Sequence, residues 1–341
     1  MAAWMVRAGA HGEREDFALE RGLAVIGWDE LGDLSRVGSR EELDALMRGA
    51  FSDAKTATIA NYVGQVWAFR ERIQVGDLLV LPLKTRSAIA IGTVRGPYEY
   101  HVDNPAEARH TRSVEWIRKD IPRSDFDQDI LYSLGTFMTV CQIQRNRAEE
   151  RIRALVEGRA PRAPVAAGEA VEGEPQAGEE PPADLELYAQ DQITTYIGQR
   201  FRGHKLADLV TAVLSAEGYH VRQSPPGPDG GVDIVAGRGP MGFEPPRLCV
   251  QVKSSDRPVD VSVLRELRGV MSNFGAEQGL LVAWGGFKQS VDNEARQLFF
   301  NVRLWDQGEL VRAVLEHYDR LPDDLQAELP LKRIWTLVPE E

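Results

Sequence analysis

The chain has 341 residues, 43% of them apolar and 27% charged, with a net charge of −12; it has the make-up of a soluble protein with a real core, and its length suggests two or three domains. No run of about eighteen apolar residues occurs, which excludes a membrane-spanning helix, and the acidic balance excludes a protein that coats nucleic acid through bulk charge, though not one with a local basic cleft. The only cysteines, Cys141 and Cys249, lie far apart, which excludes a disulfide framework and a zinc spacing. Met1 to Arg7 lacks the long apolar run of a secretory signal, so a reducing, cytoplasmic setting without membrane contact is expected.

The first 155 residues read mostly as short strands: Trp4 to Ala8, Leu23 to Trp28, Leu78 to Pro82, Ala88 to Val94, Pro97 to Tyr100 and the alternating Arg112 to Trp116. Arg40 to Arg48 and Ala57 to Arg72 are helix-like. Short strands, glycine turns and a few helices predict a small β-barrel with helices. Trp4, Trp28, Trp67, Phe69, Tyr98, Tyr100 and Trp116 make this region rich in aromatics. Aromatic rings stack on bases, and a concave aromatic pocket can hold a base taken out of a duplex. Trp67 and Phe69 fall on a helix and read as core. Trp28, Tyr98 and Tyr100 lie by turn glycines and are the pocket candidates, while Arg7, Arg95 and Lys84 are candidates for phosphate contact or for plain surface solvation.

Residues 156–183 contain EGRAPRAPVAAGEAVEGEPQAGEEPP, which has no aromatic residue. That composition buries too little apolar surface to offset the entropy of ordering, so a flexible acidic linker is expected between 1–155 and 184–341.

After the linker come a helix-like Ala207 to Glu217 with Gly218 at its end, a strand at Tyr219 to Val221, the segments GGVDIV and LCVQVK, a helix over Val261 to Met271, a buried strand GLLVAW from Gly279, a helix over Lys288 to Phe299, a strand at Val302 to Trp305 and a helix over Glu309 to Tyr318. The alternation predicts an α/β, or α+β, architecture: a mixed sheet flanked by helices.

Two of these strands carry polar groups inside apolar runs. Burying Asp233 or Lys253 alone would cost several kcal/mol. Side chains alternate along a strand, so Cys249, Gln251 and Lys253 share one face, opposite Val250 and Val252. If Asp233 on the preceding strand faces the same way, a carboxylate, an amide and an ammonium converge. Two hard oxygen donors suit Mg²⁺, with Mn²⁺ as a substitute, and a lysine beside them could orient a nucleophile or offset charge on a phosphorane. The alternative is that Gln251 and Lys253 simply reach solvent at a strand end and Asp233 is a turn acceptor.

DGGVDIVA followed by LCVQVKSS resembles the PD-(D/E)XK nuclease superfamily, and within it the Mrr-like restriction endonucleases, which carry Gln where relatives have Glu. The likeness extends through Gly269, GLLVAW, Phe287 to Ala295 and Leu304 to Leu310. It implies that Asp233 binds metal, Gln251 is the second ligand, Lys253 is the catalytic lysine and Asp229 has a turn role. One departure stands out. The resemblance implies a metal-binding Glu on the first helix, where this chain has Leu206 and Ala207; Asp208 is next to them but about 100° round the helix, and is either its substitute or a surface acid. The stretch from GDLLVLPL through AIAIGTVRGPYEY resembles the PUA-like superfamily, which includes EVE and ASCH domains and implies reading of modified or flipped bases.

The expected function is therefore a Mg²⁺-dependent DNA endonuclease of the modification-dependent restriction or defence type. Double-strand cleavage would call for two active sites and so for a homodimer. The competing expectation is a nuclease fold that binds DNA without cutting it or serves as a scaffold.

Overall fold

The computed structural model describes residues 1–144, 147–158, 185–225 and 231–335. It divides into two compact units, Met1–Tyr188 and Ala189–Leu337. The expected linker lies outside the described residues except at its first three positions, and Asp229 lies outside them too. No helix among the described residues is long and apolar enough to cross a membrane.

The N-terminal unit is built on β1 (Ala3–Val6), β2 (Leu23–Ile26), β3 (Leu78–Pro82), β4 (Ala88–Tyr100), β5 (His110–Pro122) and β6 (Val140–Gln142). They form one mixed sheet in the order β2-β5-β4-β3-β1-β6, with β1 parallel to β3 and the other pairs antiparallel. The barrel-like sheet expected from the sequence takes the form of a ladder whose hydrogen bonding runs from β2 to β6. Its two long strands, β4 and β5, slip register at three points, and each such bulge bends the pair and raises its twist.

Helices α1 (Glu15–Arg21), α2 (Arg40–Ala50), α3 (Thr56–Trp67), α4 (Gln128–Leu134) and α5 (Ala148–Val156) cover this sheet. Ser39 caps α2: its Oγ accepts the Glu42 N–H at 3.1 Å, and Glu42 reaches back to the Gly38 N–H at 2.7 Å. Leu43 and Met47 of α2 and Ile59, Val63 and Val66 of α3 pack with Trp4, Val6, Leu79 and Val94. Ala3, Met5, Leu78, Val80, Ile89 and Ile91 meet α4 and α5 in a second cluster. The helix expected as far as Arg72 ends its α geometry at Trp67 and continues as a π-turn over Ala68–Arg72. The wider turn frees carbonyls, and buried Arg112 donates to those of Phe69 at 2.8 Å and Arg70 at 3.3 Å. Phe69 is fully buried and Trp67 partly so, both in the core as expected.

The C-terminal unit holds α6 (Leu185–Arg200), α7 (His204–Ala216), β7 (His220–Gln223), β8 (Ile234–Arg238), β9 (Glu244–Lys253), α8 (Val261–Phe274), β10 (Gln278–Ala283), α9 (Gln289–Gln297), β11 (Val302–Trp305), α10 (Gln307–His317) and α11 (Asp323–Glu328). Its five-stranded sheet runs β11-β10-β9-β8-β7. The first three strands by sequence pair antiparallel, and β9, β10 and β11 pair parallel. One face packs on α7 and α10 through Leu209, Val213, Leu310 and Val314, against Ile234, Val250, Leu280 and Val282. The other packs on α8 and α9 through Leu264, Leu267, Met271 and Val291, against Cys249, Leu281 and Ala283. Near-continuous apolar strands thus follow from burial on both faces. The mixed sheet flanked by helices matches the expected class.

Candidate functional site

Strand β9 crosses the middle of this sheet, and the alternation of its side chains is visible in the packing. Leu248 and Val250 belong to the cluster under α7 and α10, and Cys249 belongs to the cluster under α8. Gln251 and Lys253 follow Cys249 on the second face. Gln251 is only 4% exposed, and its Oε1 is buried with no hydrogen-bond donor. A buried acceptor left open costs about 1–3 kcal/mol. Lys253 is half-buried, and its ammonium makes no hydrogen bond or ion pair among the described residues. Burial pushes the Cys249 thiol up to about 11, so it remains a protonated, inert neighbour.

Asp233 sits just before β8, where the chain enters the sheet. Its N–H donates to the Val250 carbonyl at 3.0 Å, and its carboxylate Oδ2 accepts the Val252 N–H at 2.7 Å. The carboxylate therefore lies against the backbone between Gln251 and Lys253. Ser224, which the sequence reading did not single out, holds this corner: its N–H donates to the Asp233 carbonyl at 2.8 Å and its hydroxyl to the Val232 carbonyl at 2.7 Å. Nothing in the local sequence signals that role, since Ser224 acts through the fold of the turn.

The far end of the site is fixed by β10. Ala283 pairs with Lys253, and the Trp284 N–H donates to the Lys253 carbonyl at 2.8 Å. Gly285 follows; a Cβ there would stand 2.5 Å from the Asp256 backbone and 2.6 Å from that of Arg257. The segment after Lys253 is thus seated on a glycine that only hydrogen fits.

Asp208 is engaged by neighbours on α7 and β7. Its Oδ1 accepts from Gln223 Nε2 at 2.8 Å and stands 3.9 Å from His204 Nε2. No hydrogen bond or ion pair links it to Asp233, Gln251 or Lys253 among the described residues. Leu206 and Ala207, at the position where a helix Glu was expected, are buried. Among the described residues, the donors available to a divalent ion are the second oxygen of Asp233 and the open Gln251 Oε1, two hard donors of which one is anionic. They fit a divalent cation that keeps much of its water.

In the N-terminal unit, Trp28, Tyr98 and Tyr100 gather around buried His110. The Leu34 N–H donates to Tyr98 Oη at 3.4 Å, Tyr98 lies 2.8 Å from His110 Nδ1, and His110 Nε2 lies 3.1 Å from the Trp28 carbonyl. A carbonyl only accepts, so Nε2 carries the proton and Nδ1 accepts from the Tyr98 hydroxyl. Burial holds the His110 pKa below its ordinary value, which keeps the ring neutral, and raises that of Tyr98. Trp28 adopts φ 64°, a left-handed conformation uncommon for a bulky residue. Its ring packs edge-on to Tyr62 at 5.6 Å, and Tyr100 packs on His110 at 5.1 Å.

The expected phosphate contacts fare differently. Arg7 is buried and donates to the Leu134 carbonyl at 2.9 Å, so it is part of the interior and is withdrawn from the phosphate contacts. Arg95 is exposed and paired with Glu115.

Residues 199–314 match a family described as restriction endonuclease, and residues 4–143 match one described only as a domain of unknown function. A comparison with curated proteins found no match. Among solved structures, the chain is similar to the DNA modification-dependent restriction endonuclease AspBHI, at 16% identity and a TM-score of 0.33 over 91% of this chain and 79% of that one. It is also similar to the MspJI restriction endonuclease in complex with a 27-mer oligonucleotide, at 15% identity and a TM-score of 0.31 over 95% and 78%. Residues 199–314 of the chain are therefore similar to a restriction-endonuclease domain.

Proposed function

We propose that the protein is a Mg²⁺-dependent DNA endonuclease of the modification-dependent restriction type. Asp233, Gln251 and Lys253 would form its active site, and the N-terminal unit, in the manner of a PUA-like domain, would read the modified base. The observation that carries the reading is the Asp233 carboxylate, held on the N–H of Val252, the residue between Gln251 with its open amide oxygen and Lys253, whose ammonium has no partner among the described residues, inside a segment matched as a restriction endonuclease.

The reaction adds water across a phosphodiester, with one P–O bond formed and one broken. Asp233 and Gln251 are the residues that would hold the ion; bound there, Mg²⁺, or Mn²⁺ in its place, supplies Lewis acidity toward the scissile phosphate. Asp233 presents one oxygen to the site because the other is held by backbone. Among the described residues Lys253 has no carboxylate partner, so its charge would be available to orient the attacking water and to offset the negative charge that builds on the phosphoryl oxygens. Gln251 contributes an oxygen without charge, which weakens cation binding relative to a two-carboxylate site. Base reading would fall to the half-buried faces of Trp28 and Tyr100, with Tyr98 and neutral His110 as their fixed support. A homodimer would supply the second active site for double-strand cleavage, and the natural setting is the cytoplasm.

The test is a panel of plasmids bearing different cytosine and adenine modifications, incubated with the protein and Mg²⁺. Cutting confined to one modified class supports the reading. Cutting of every plasmid alike overturns modification dependence, and no cutting with Mg²⁺ or Mn²⁺ overturns the endonuclease.

One observation favours a second reading, a DNA-binding or scaffold module that does not cut: among the described residues, Asp233 is the one carboxylate bonded to the Gln251–Lys253 stretch of β9, while Asp208 is bonded by Gln223. Calorimetric titration of Mg²⁺ and Mn²⁺ into wild type and Asp233→Asn separates the two. Absence of any binding that depends on Asp233 selects the non-cleaving module.

A further inference from the structure

Two arginines of the N-terminal unit are placed differently from the rest. Arg14, just before α1, and Arg109, just before β5, are half-buried, and each has a buried Nε with no hydrogen-bond acceptor. No hydrogen bond or ion pair holds either guanidinium among the described residues. Arg7 and Arg151 also leave Nε open, but every fully buried arginine of this unit is engaged through its guanidinium or otherwise partnered: Arg112 by the Gly96, Phe69 and Arg70 carbonyls, Arg151 by Asp127 and Asp129, Arg7 by the Leu134 carbonyl, and Arg123 likewise has a partner. A guanidinium stays charged, and holding one partly out of water without a hydrogen-bonding partner is unfavourable.

The two lie on the same side of the sheet. Strands β2 and β5 pair Leu23 with Ser113 through to Ile26 with His110, and one more step sets Arg109 opposite Gly27. The Arg109 backbone keeps to the ladder, since its carbonyl accepts the His101 N–H at 2.9 Å. Residues directly opposite on paired strands project to one face. The Arg14 guanidinium lies beside the position of a Gly27 side chain: a Cβ there would stand in contact at 3.6 Å from Nη1 and 3.7 Å from Nη2. Val25, two residues earlier, packs on Ala18 and Leu19 of α1, which is the side from which Arg14 arrives. The acids close in sequence or field are engaged elsewhere or make no ion pair. Glu13 takes the His11 N–H at 3.0 Å, and Asp29 pairs with neither arginine. Backbone N–H groups hold the Glu13 carboxyl below the usual carboxylate range, with Arg14 a lesser influence.

We propose that Arg14 and Arg109 form a two-arginine clamp for one phosphate group at the Gly27 corner, taken from the DNA backbone when the N-terminal unit docks on its target. Guanidinium forks match phosphate oxygens geometrically, and charge-assisted bonds of that kind are the strong ones. The DNA source rests on the endonuclease reading above; the phosphate chemistry does not.

The experiment measures binding of the full-length chain to a fluorescent duplex, without divalent ions, as a function of salt. It compares wild type with the pair Arg14→Gln and Arg109→Gln and with the pair Arg14→Lys and Arg109→Lys. One phosphate contact contributes about 0.9 to the slope of log affinity against log salt. The Gln pair is expected to lose about one unit of slope and on the order of tenfold in affinity at fixed salt, with the Lys pair close to wild type. Unchanged slope and affinity in the Gln pair overturn the clamp. Thermal melts in inorganic phosphate, against chloride at equal ionic strength, distinguish the sources. If wild type binds no duplex but is raised in Tm by phosphate, and the Gln pair is not, the clamp stands for free phosphate and the DNA reading fails. If wild type responds to neither, the clamp is overturned.

Discussion

Asp233 spends one carboxylate oxygen on the Val252 N–H and keeps the other for the site. That division makes its replacement informative. Asp233→Asn retains a carbonyl oxygen to accept the backbone bond while removing the charge, so the fold should survive and divalent-ion binding by calorimetry should disappear. Gln251 tests the opposite change. Its buried Oε1 has no donor, and Gln251→Glu would add a second anion there. Divalent affinity is expected to rise on the order of tenfold, a difference of about 1.4 kcal/mol; an unchanged constant would remove Gln251 from the ion's surroundings. His110 governs a different property. Burial lowers its pKa in the folded state below the unfolded value of about 6.5, so the unfolded chain takes up the proton first as pH falls. Stability tied to His110 is thus fully present above about pH 6.5 and is lost as pH drops toward the folded pKa. Melts between pH 7.5 and 5 should show the N-terminal unit softening on acidification, and His110→Gln should flatten that dependence.

At the scale of elements, the alternation along β9 was the legible part of the sequence. Val250 and Val252 against Gln251 and Lys253 already told which residues face which helices, because a strand's period is fixed. The strands and helices of the C-terminal sheet followed from the same periodicities. Asp208 was harder. One helical position carries a side chain about 100° round the axis, and only the coordinates reveal that this rotation delivers Asp208 to Gln223 on β7. Arg7 was misread for a related reason: a charge in a short apolar strand looks like a surface group until a distant carbonyl, that of Leu134, is seen to receive it. The short helices α1, α4, α5 and α11 carry too few turns to show a clear period, and they went unread, as did α6. Gly285 gives the element-scale prediction. A Cβ there meets backbone at 2.5 Å, so Gly285→Ala should displace the segment that follows Lys253. Cleavage should fall at least as far as stability does, measured by plasmid assay and thermal melt. In contrast, Leu267→Ala, which empties space between α8 and the sheet, should cost about 2–5 kcal/mol in denaturant unfolding.

The whole molecule joins a sheet-based unit rich in aromatics to a unit matched by a restriction-endonuclease family. Its net charge of −12 leaves attraction to DNA to local features, so binding should depend on a few named cations and fall steeply with salt. On the proposed reading, chemistry falls to the C-terminal unit and recognition to the N-terminal one, so each should be separable by mutation. On that reading Lys253 belongs to the chemistry alone. The most direct measurement is therefore cleavage of a responsive plasmid by wild type and by Lys253→Ala in Mg²⁺, alongside duplex binding by both proteins without metal. The expected result is cutting by wild type, a loss of on the order of a hundredfold or more in the variant, and equal binding by the two. Equal cutting by both proteins would contradict the assignment of the active site.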